Sequence, residues 1–201
     1  MKIFENQKKK MHFSGLNRQT TVCDFLDAQA EYLAAEPLDC PVCSDNCCRR
    51  DWNLQLDIVF FNRLVRDQNQ LTPRKIAEKF IRLNPLQRPV FKEFPCLFLQ
   101  ENGRCQIYKS RALTCRLYTC REESEEYSKL KNILILSLNI PLAVKYLSLK
   151  HDISIQKAAT HFELAEPALL PIEATNYRIR ISELIAAARG FLPPKSSNIF
   201  S

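Results

Sequence analysis

The stretch CPVCSDNCC, residues 40 to 48, places four cysteines within nine positions, and the last two are adjacent. Thiols that serve only for packing seldom lie so close together, so this stretch indicates metal binding or redox chemistry. Cys40 and Cys43 have the CxxC spacing in which a tight turn aims two thiolates at one ion. The side chains of the adjacent Cys47 and Cys48 diverge. This favours a polynuclear cluster, two metal centres, or one ligand with a spare thiol over a single zinc ion.

A second group of cysteines lies further along the chain. The segment PCLFLQENGRCQIY, residues 95 to 108, has Asn102-Gly103 between two apolar runs, which is the strongest two-residue signal for a β-hairpin. Such a hairpin would bring two cysteines together, and the chain that follows can carry two more beside them. Four thiolates from two connected elements can enclose a metal, as in structural zinc and iron–sulfur sites. The predicted metal ligands of both groups are Cys40, Cys43, Cys47, Cys48, Cys96, Cys105, Cys115 and Cys120.

The ninth cysteine, Cys23, stands alone on a predicted amphipathic helix, so we expect it to be a thiol of the core. The three histidines lie far in sequence from both cysteine groups and are not expected to be ligands.

The ends and apolar runs of the chain bear on its compartment. The basic start MKIFENQKKK has no apolar run behind it, so it does not resemble a secretory signal. The most apolar stretch, residues 133 to 144, is interrupted by Asn139 and Pro141 and is shorter than the roughly 20 residues needed to cross a bilayer. We therefore expect a cytoplasmic protein without a membrane segment. In a reducing compartment, metal ligation is a commoner use of many cysteines than disulfide formation.

Composition and helix signals predict the fold class. The chain has only 3 Gly but 11 Pro, which favours helices joined at proline-marked corners. Helices are predicted from Cys23 to Ala35, from a cap at Asp57 to about Arg66, and from a cap at Thr72 with Pro73 at the first position to a stop at Asn84-Pro85. In the helical tail Ser124, Asn139, Ser154 and Thr175 are predicted caps, Gly190 is a predicted stop, and the predicted corners are Pro141, Pro167 and Pro171. The expected fold is mainly α with a small β-hairpin.

This pattern predicts four parts of the chain. They are a flexible basic arm at 1–22, a cysteine-cluster metal-binding knot at 23–122, a helical C-terminal extension packed on it at 123–192, and a loose tail at 193–201.

The net charge of +7 could indicate a polyanionic partner, but several arginines fall within a few residues of a cysteine. Because metal-bound cysteines are thiolates, part of this positive charge would balance an anionic metal centre. Arg49, Arg104, Arg111 and Arg116 are expected to surround the centre in this way, and Tyr108 is expected to pack or hydrogen-bond close by. The alternative for the arginines is ordinary surface placement.

The cysteine pattern resembles the YkgJ-type cysteine-cluster family, also described as the CxxCxxCC zinc- or iron-chelating domain. The resemblance rests on Cys40-x2-Cys43-x3-Cys47-Cys48-Arg49, Cys96, Gly103-Arg104-Cys105-x-Ile107-Tyr108-x2-Arg111 and Cys115-Arg116-x3-Cys120, over about residues 38 to 122. It implies a domain with eight cysteine ligands that holds an iron–sulfur cluster, such as a 4Fe-4S cluster, or zinc. Metal ions are thus the expected partners. Ala112 departs from the family, in which a proline commonly follows the arginine.

Two other functions stay open at this level. A relative of the family is the flagellin lysine N-methylase, which makes methyl transfer conceivable, although the three scattered glycines do not form a loop for a methyl donor. Residues 154 to 170 weakly resemble a helix-turn-helix, but the turn lacks Gly and the acidic Glu166 would lie near phosphates, which argues against nucleic-acid binding. The sequence names no protein partner.

Overall fold

The computed structural model describes residues 1–35, 48–49, 54–68, 70–162 and 171–188. Seven helices and two two-stranded antiparallel sheets are described in these ranges. The helices dominate, which confirms the predicted fold class. Most buried apolar side chains, from Ile3 near the start to Ile185 near the end, form one continuous core.

The chain begins with a β-hairpin in which β1 (Lys2–Glu5) pairs with β2 (Met11–Ser14). Met11 is 1% exposed and Ile3 is also buried, so the hairpin contributes side chains to the core. This arrangement differs from the loosely packed arm expected over residues 1–22. The physical reason is that a few apolar residues among many lysines suffice to anchor two short strands when a core is already present.

Helix α1 (Val22–Ala35) confirms the prediction of a helix over 23–35. Its start has a reciprocal capping arrangement. The Thr21 amide donates to the Asp24 carboxylate at 2.8 Å, and the Asp24 amide donates to the Thr21 hydroxyl at 3.2 Å. Val22, Phe25 and Leu26 are buried against the core.

Helices α2 (Ile58–Asp67) and α3 (Pro73–Phe80) begin at the predicted caps. The Phe60 amide donates to the Asp57 side chain, and the Lys75 amide donates to the Thr72 side chain. The predicted continuation of α3 to Asn84 is wrong, because the helix ends at Phe80. Strand β3 (Ile81–Leu83) follows and pairs with β4 (Pro89–Phe91).

A short helix, α4 (Leu113–Leu117), precedes the longest helix, α5 (Glu125–His151). Ser124 caps α5 as predicted, accepting from the Tyr127 amide. The predicted cap at Asn139 and corner at Pro141 are wrong, because both residues lie inside α5. A proline inside a helix costs about 3 kcal/mol. Here that cost is offset because Leu142, Ala143 and Val144 are almost fully buried next to it.

Helix α5 is the central helix and contacts α2, α3, α4, α6 and α7. By length and composition alone it could cross a membrane, but 56% of its most apolar window is buried inside the fold. The core helix of a water-soluble protein passes the same test, so this is weak support for a membrane span.

Helix α6 (Ile155–Thr160) begins at the predicted cap Ser154. Ala158 and Ala159 are buried with Val144 in a small second cluster. These two alanines are thus used for helix packing. The rest of the helix-turn-helix-like segment, residues 163–170, lies outside the described residues.

The chain then runs through residues 171–182, here called the C-terminal strap, whose last two residues begin α7 (Ile181–Ala188). The predicted cap at Thr175 is wrong, because the next helix begins at Ile181, and Pro167 and Gly190 lie outside the described residues. Arg180 forms an isolated antiparallel bridge with Thr21, just before α1. The strap therefore returns the end of the described chain to its first helix.

Candidate metal centre

Five of the eight predicted ligands lie in the described part of the chain, namely Cys48, Cys96, Cys105, Cys115 and Cys120. Cys40, Cys43 and Cys47 lie outside the described residues. Cys96 is 8% exposed and belongs to the main core, whereas Cys48 and Cys115 are partly buried and pack against it.

The two cysteine groups meet through the backbone. The Cys96 amide donates to the Cys48 carbonyl oxygen at 2.8 Å. The nearby Leu56 amide donates to the Pro89 carbonyl oxygen at 2.8 Å, and Gln55 forms an antiparallel bridge with Val90. Cys48, Gln55 and Leu56 therefore all pair through the backbone with the segment that runs from β4 to Cys96.

The predicted hairpin around Asn102-Gly103 is present as a tight turn with a single bridge, between Leu99 and Cys105. The Gly103 amide donates to the Gln100 carbonyl oxygen, and the Gln100 amide donates to the Arg104 carbonyl oxygen, both at 2.9 Å. Gly103 has φ +77°, as the expectation of a left-handed glycine requires. The loop thus has three residues, rather than the two that an Asn-Gly turn uses.

Cys115 lies in α4, whose first turn is held by a buried carboxylate. The Leu113 amide donates to Asp57 Oδ2 at 2.6 Å, while the Phe60 amide donates to Asp57 Oδ1 at 2.8 Å. One carboxylate therefore caps α2 and also fixes the start of α4. Because α4 has only five residues, it needs such tertiary partners to persist.

The other end of α4 is held by a second buried pair. Gln29 Nε2 donates to the Arg116 carbonyl oxygen at 2.6 Å, and the Tyr127 hydroxyl donates to Gln29 Oε1 at 2.9 Å. Gln29 is 2% exposed and Tyr127 is fully buried. Cys115 thus lies between two polar supports, one from α2 and one from α1 and α5.

The electrostatic state of the Asp57 support follows from its burial. Desolvation raises the pKa of the Asp57 carboxyl, and the hydrogen bonds from the Leu113 and Phe60 amides and the Tyr177 hydroxyl act in the opposite direction. Burial, followed by the nearby Asp57, raises the pKa of Tyr177 well above its usual value, so this hydroxyl keeps its proton and acts as a donor.

Cys120 has an unusual backbone conformation, with φ +53°, and its side chain is exposed. The segment is fixed on both sides by Met11. Thr119 Oγ1 donates to Met11 Sδ at 3.2 Å, and the Met11 amide donates to the Glu122 carbonyl oxygen at 2.8 Å. The left-handed region costs a non-glycine residue about 1–2 kcal/mol. Such strain often accompanies a functional role of the side chain.

We predict that glycine and alanine at this position separate backbone strain from metal binding. In metal-free protein, Cys120→Gly should be more stable than Cys120→Ala by about 1 kcal/mol, because glycine adopts the left-handed region freely. In metal-loaded protein both variants should hold metal more weakly than the wild type. Denaturant unfolding and elemental analysis would check this. Unchanged metal content in both variants would show that Cys120 is not a ligand.

Two of the residues predicted to surround the centre, Tyr108 and Arg111, contact each other. The Arg111 guanidinium lies 3.8 Å from the centroid of the Tyr108 ring, and Arg111 Nε donates to the Tyr108 carbonyl oxygen at 3.0 Å. The structure therefore brings these two together, with Tyr108 60% exposed. Arg116 lies over the Tyr177 ring at 5.6 Å. Arg49 and Arg104 are exposed.

Cys23 was expected in the core, and it is partly buried and packed against it. Burial raises the pKa of its thiol, and the neighbouring Asp27, 3.5 Å from the sulfur, raises it further. A thiol with a raised pKa is a poorer thiolate ligand. This supports a structural role for Cys23.

Sequence reasoning did not identify three side chains that hold the site, which are Gln29, Tyr127 and Tyr177. Each is a single polar residue whose partner lies far away in sequence. For Asp57 the local cap signal was visible, but its second contact to Leu113 was not.

Within the described ranges, no three His, Cys, Asp or Glu side chains form a group that could hold a metal ion. Whether the cysteines suit a metal centre therefore depends on their donor atoms and on where the backbone places them. Clustered thiols suit zinc and iron–sulfur centres, and the Cys48–Cys96 hydrogen bond places the end of the first group against the second. The donor chemistry of the cysteines fits such a centre, but Cys96, Cys105, Cys115 and Cys120, which are all described, do not form a metal-binding group by themselves.

The cysteine spacing, with five of these cysteines in the described structure, is typical of a metal-chelating domain. Residues 39–133 match the family model described as "CxxCxxCC: Putative zinc- or iron-chelating domain". Over this segment the chain matches the CxxCxxCC family, as its cysteine pattern predicted. No curated protein matches the chain. No solved structure matches it.

Proposed function

We propose that this protein is a cytoplasmic metal-binding protein in which thiolates of both cysteine groups hold an iron–sulfur cluster or zinc. The observation that supports the proposal is the hydrogen bond from the Cys96 amide to the Cys48 carbonyl oxygen, which joins the last cysteine of the first group to the first cysteine of the second. The family match over residues 39–133 supports metal chelation. The adjacent Cys47 and Cys48 favour a cluster with more than one metal atom.

The negative charge and the oxygen sensitivity of such a centre explain two features near its predicted ligands, which are the arginines and the burial of Cys96. Thiolates add negative charge, and Arg49, Arg104 and Arg111 are close to ligands in sequence and can balance it. Burial of Cys96 limits access of solvent and oxidants to its sulfur. The proposal needs no catalysed reaction.

The test is elemental analysis of protein purified without oxygen. Iron with matching sulfide in a brown sample identifies a cluster, while zinc in a colourless sample identifies a zinc site. Wild-type protein with neither metal, even after reconstitution with iron and sulfide or with zinc, would overturn the proposal.

A matched pair of cysteine variants sharpens this test. Cys96→Ser should reduce the bound metal strongly, because a hydroxyl is a poor ligand for soft metals. Cys23→Ser should leave the metal content unchanged, since Cys23 is assigned to the core. Equal loss in both variants would mean that the metal depends on general thiol content and not on the proposed centre.

A further inference from the structure

Two side chains of α2 donate hydrogen bonds to backbone carbonyl oxygens of the C-terminal strap. Asn62 Nδ2 donates to the carbonyl oxygens of Ile172 and Ala174, at 3.0 and 2.9 Å. Arg63 Nε donates to the Thr175 carbonyl oxygen at 2.9 Å. Residues 172–175 are therefore fixed along α2 by side-chain hydrogen bonds.

The same strap is attached to the start of α1. The Cys23 amide donates to the Tyr177 carbonyl oxygen at 2.8 Å, and the Val22 amide donates to the Ile179 carbonyl oxygen at 2.9 Å. The Ile181 amide donates to the Thr20 carbonyl oxygen at 2.9 Å. The first two of these bonds use amides at the N-terminus of α1 that have no partner within the helix.

Between these two attachments, Tyr177 points into the protein and is 2% exposed. Its hydroxyl lies 3.0 and 3.1 Å from the two Asp57 carboxylate oxygens. The Arg63 and Arg116 guanidinium groups lie 5.0 and 5.6 Å from its ring centroid. Arg116 is the residue directly after Cys115.

Asp57 thus joins three parts of the chain, because it accepts from Phe60 in α2, Leu113 in α4 and Tyr177 in the strap. We infer that Tyr177 and Asp57 form a positioning unit for the metal centre, through which the C-terminal strap sets the placement of α4 and its Cys115. This inference rests on the proposed function. It also places a determinant of metal binding outside residues 39–133, the range that the family model covers.

Tyr177 and Asp57 position α4 without contacting the metal themselves. The Tyr177 hydroxyl contacts the Asp57 carboxylate, its ring contacts Arg116, and together these contacts hold α4 in place relative to α2. Without the hydroxyl, the carboxylate keeps its two amide donors but loses the group that fixes its orientation. Partners that orient ligands in this way commonly change metal affinity 10–100-fold when they are removed.

The test uses the full chain, with Co²⁺ as a spectroscopic probe of thiolate coordination. Tyr177→Phe removes one hydroxyl and keeps the ring, so the fold should persist. We expect about 10-fold weaker Co²⁺ binding in competition with a chelator, together with a changed cobalt–thiolate absorption spectrum. Tyr146→Phe is the matched control, since Tyr146 lies on α5 with its ring near Lys150, and this variant should resemble the wild type.

A second control separates positioning from stability. Val144→Ala removes volume from the small cluster around Ala158, which contacts the strap at Ile172 but includes none of the described cysteines, and should lower stability without changing the cobalt spectrum. If Tyr177→Phe gives the wild-type spectrum and affinity, or only the change that Val144→Ala gives, the inference is wrong and the proposed function stands. If the wild type binds neither Co²⁺ nor its native metal, the proposed function fails and the inference falls with it.

Hydrogen exchange offers an independent readout of the same coupling. Because linkage is reciprocal, metal loading should increase protection of amides in residues 171–182 of the wild type. The increase should be much smaller in Tyr177→Phe. Equal protection with and without metal in the wild type would contradict the inference.

Discussion

Removal of the metal is expected to release residues 96–120 from the fold while α5 stays protected. Metal binding couples to folding in small cysteine-rich sites, and apparent binding free energies of structural zinc are about 10–16 kcal/mol in peptides. Loss of even a fraction of that energy is large beside a typical unfolding free energy of about 5–15 kcal/mol. Within residues 96–120 the described regular elements are one 3₁₀ turn and α4, so this segment has little secondary structure to hold it without the metal.

The measurement is hydrogen exchange on the protein before and after anaerobic chelation, with metal loss verified by elemental analysis. Amides of the Cys96–Gln106 turn and of α4 should exchange much faster in the metal-free protein. Amides near Leu134 and Leu138 in α5 should change little, because their side chains are fully buried in the core.

Two controls make this result specific. Cys23→Ser should show the same metal-dependent protection as the wild type, and metal added back without oxygen should restore it. Unchanged exchange over residues 96–120 after verified metal loss would mean that the hydrophobic core alone holds this segment, through Cys96, Leu113 and Leu117.

Elements with local chemical signals could be predicted from the sequence. The caps of α2 and α3 depend on one side chain that accepts from an amide three residues later, so Asp57 and Thr72 revealed both helix starts. Gly103 was identified because a left-handed turn favours glycine. The cysteine spacing likewise led to the family that the match over residues 39–133 supports.

Elements that depend on distant partners could not be predicted in this way. Residues 81–83 continue the apolar pattern of α3, but the chain leaves the helix because β4 offers it backbone partners. Asn139 and Pro141 have the local signals of a helix end, yet α5 continues through both. There, burial of the surrounding side chains outweighs local propensity.

The candidate metal centre shows the same difference between local signals and long-range contacts. The ligand candidates were visible as a pattern of cysteines, whereas the side chains that hold α4 were not. Tyr177 contacts Asp57 across 120 positions of the chain, and Tyr127 contacts Gln29 across 98. A single polar residue carries no periodicity, so only the folded structure reveals such a pair.

A change of Asn139 to aspartate is expected to destabilise the protein by several kcal/mol. Asn139 is fully buried, and its Nδ2 donates to the Leu56 and Pro89 carbonyl oxygens at 2.6 and 3.0 Å. Leu56 and Pro89 also pair with each other through the backbone, next to the bridge between Gln55 and Val90. In Asn139→Asp an oxygen would face two acceptors, and the buried carboxylate would lose its hydration.

Asn139→Ala is the matched control, because it removes the donor without adding a charge. It should cost about 1–3 kcal/mol, which is the usual effect of leaving buried polar groups without a partner. Asn139→Asp should be the less stable of the two at neutral pH, although aspartate is closer to asparagine in size. Denaturant unfolding of both variants, with metal content held equal, would measure the difference.

The pH dependence of that difference identifies its cause. In Asn139→Asp, burial beside two carbonyl oxygens would raise the folded-state pKa of the introduced carboxyl above its unfolded value of about 3.9, since only the protonated acid can donate. A raised folded pKa contributes stability below the unfolded pKa, and this contribution is lost as the pH rises towards the folded pKa. Asn139→Asp should therefore lose about 1.4 kcal/mol per pH unit relative to Asn139→Ala between about pH 5 and 7. A difference that does not vary with pH would show that the introduced carboxylate reaches water or a cation, and that Asn139 does not form the buried link between α5 and the pairing beneath the cysteines.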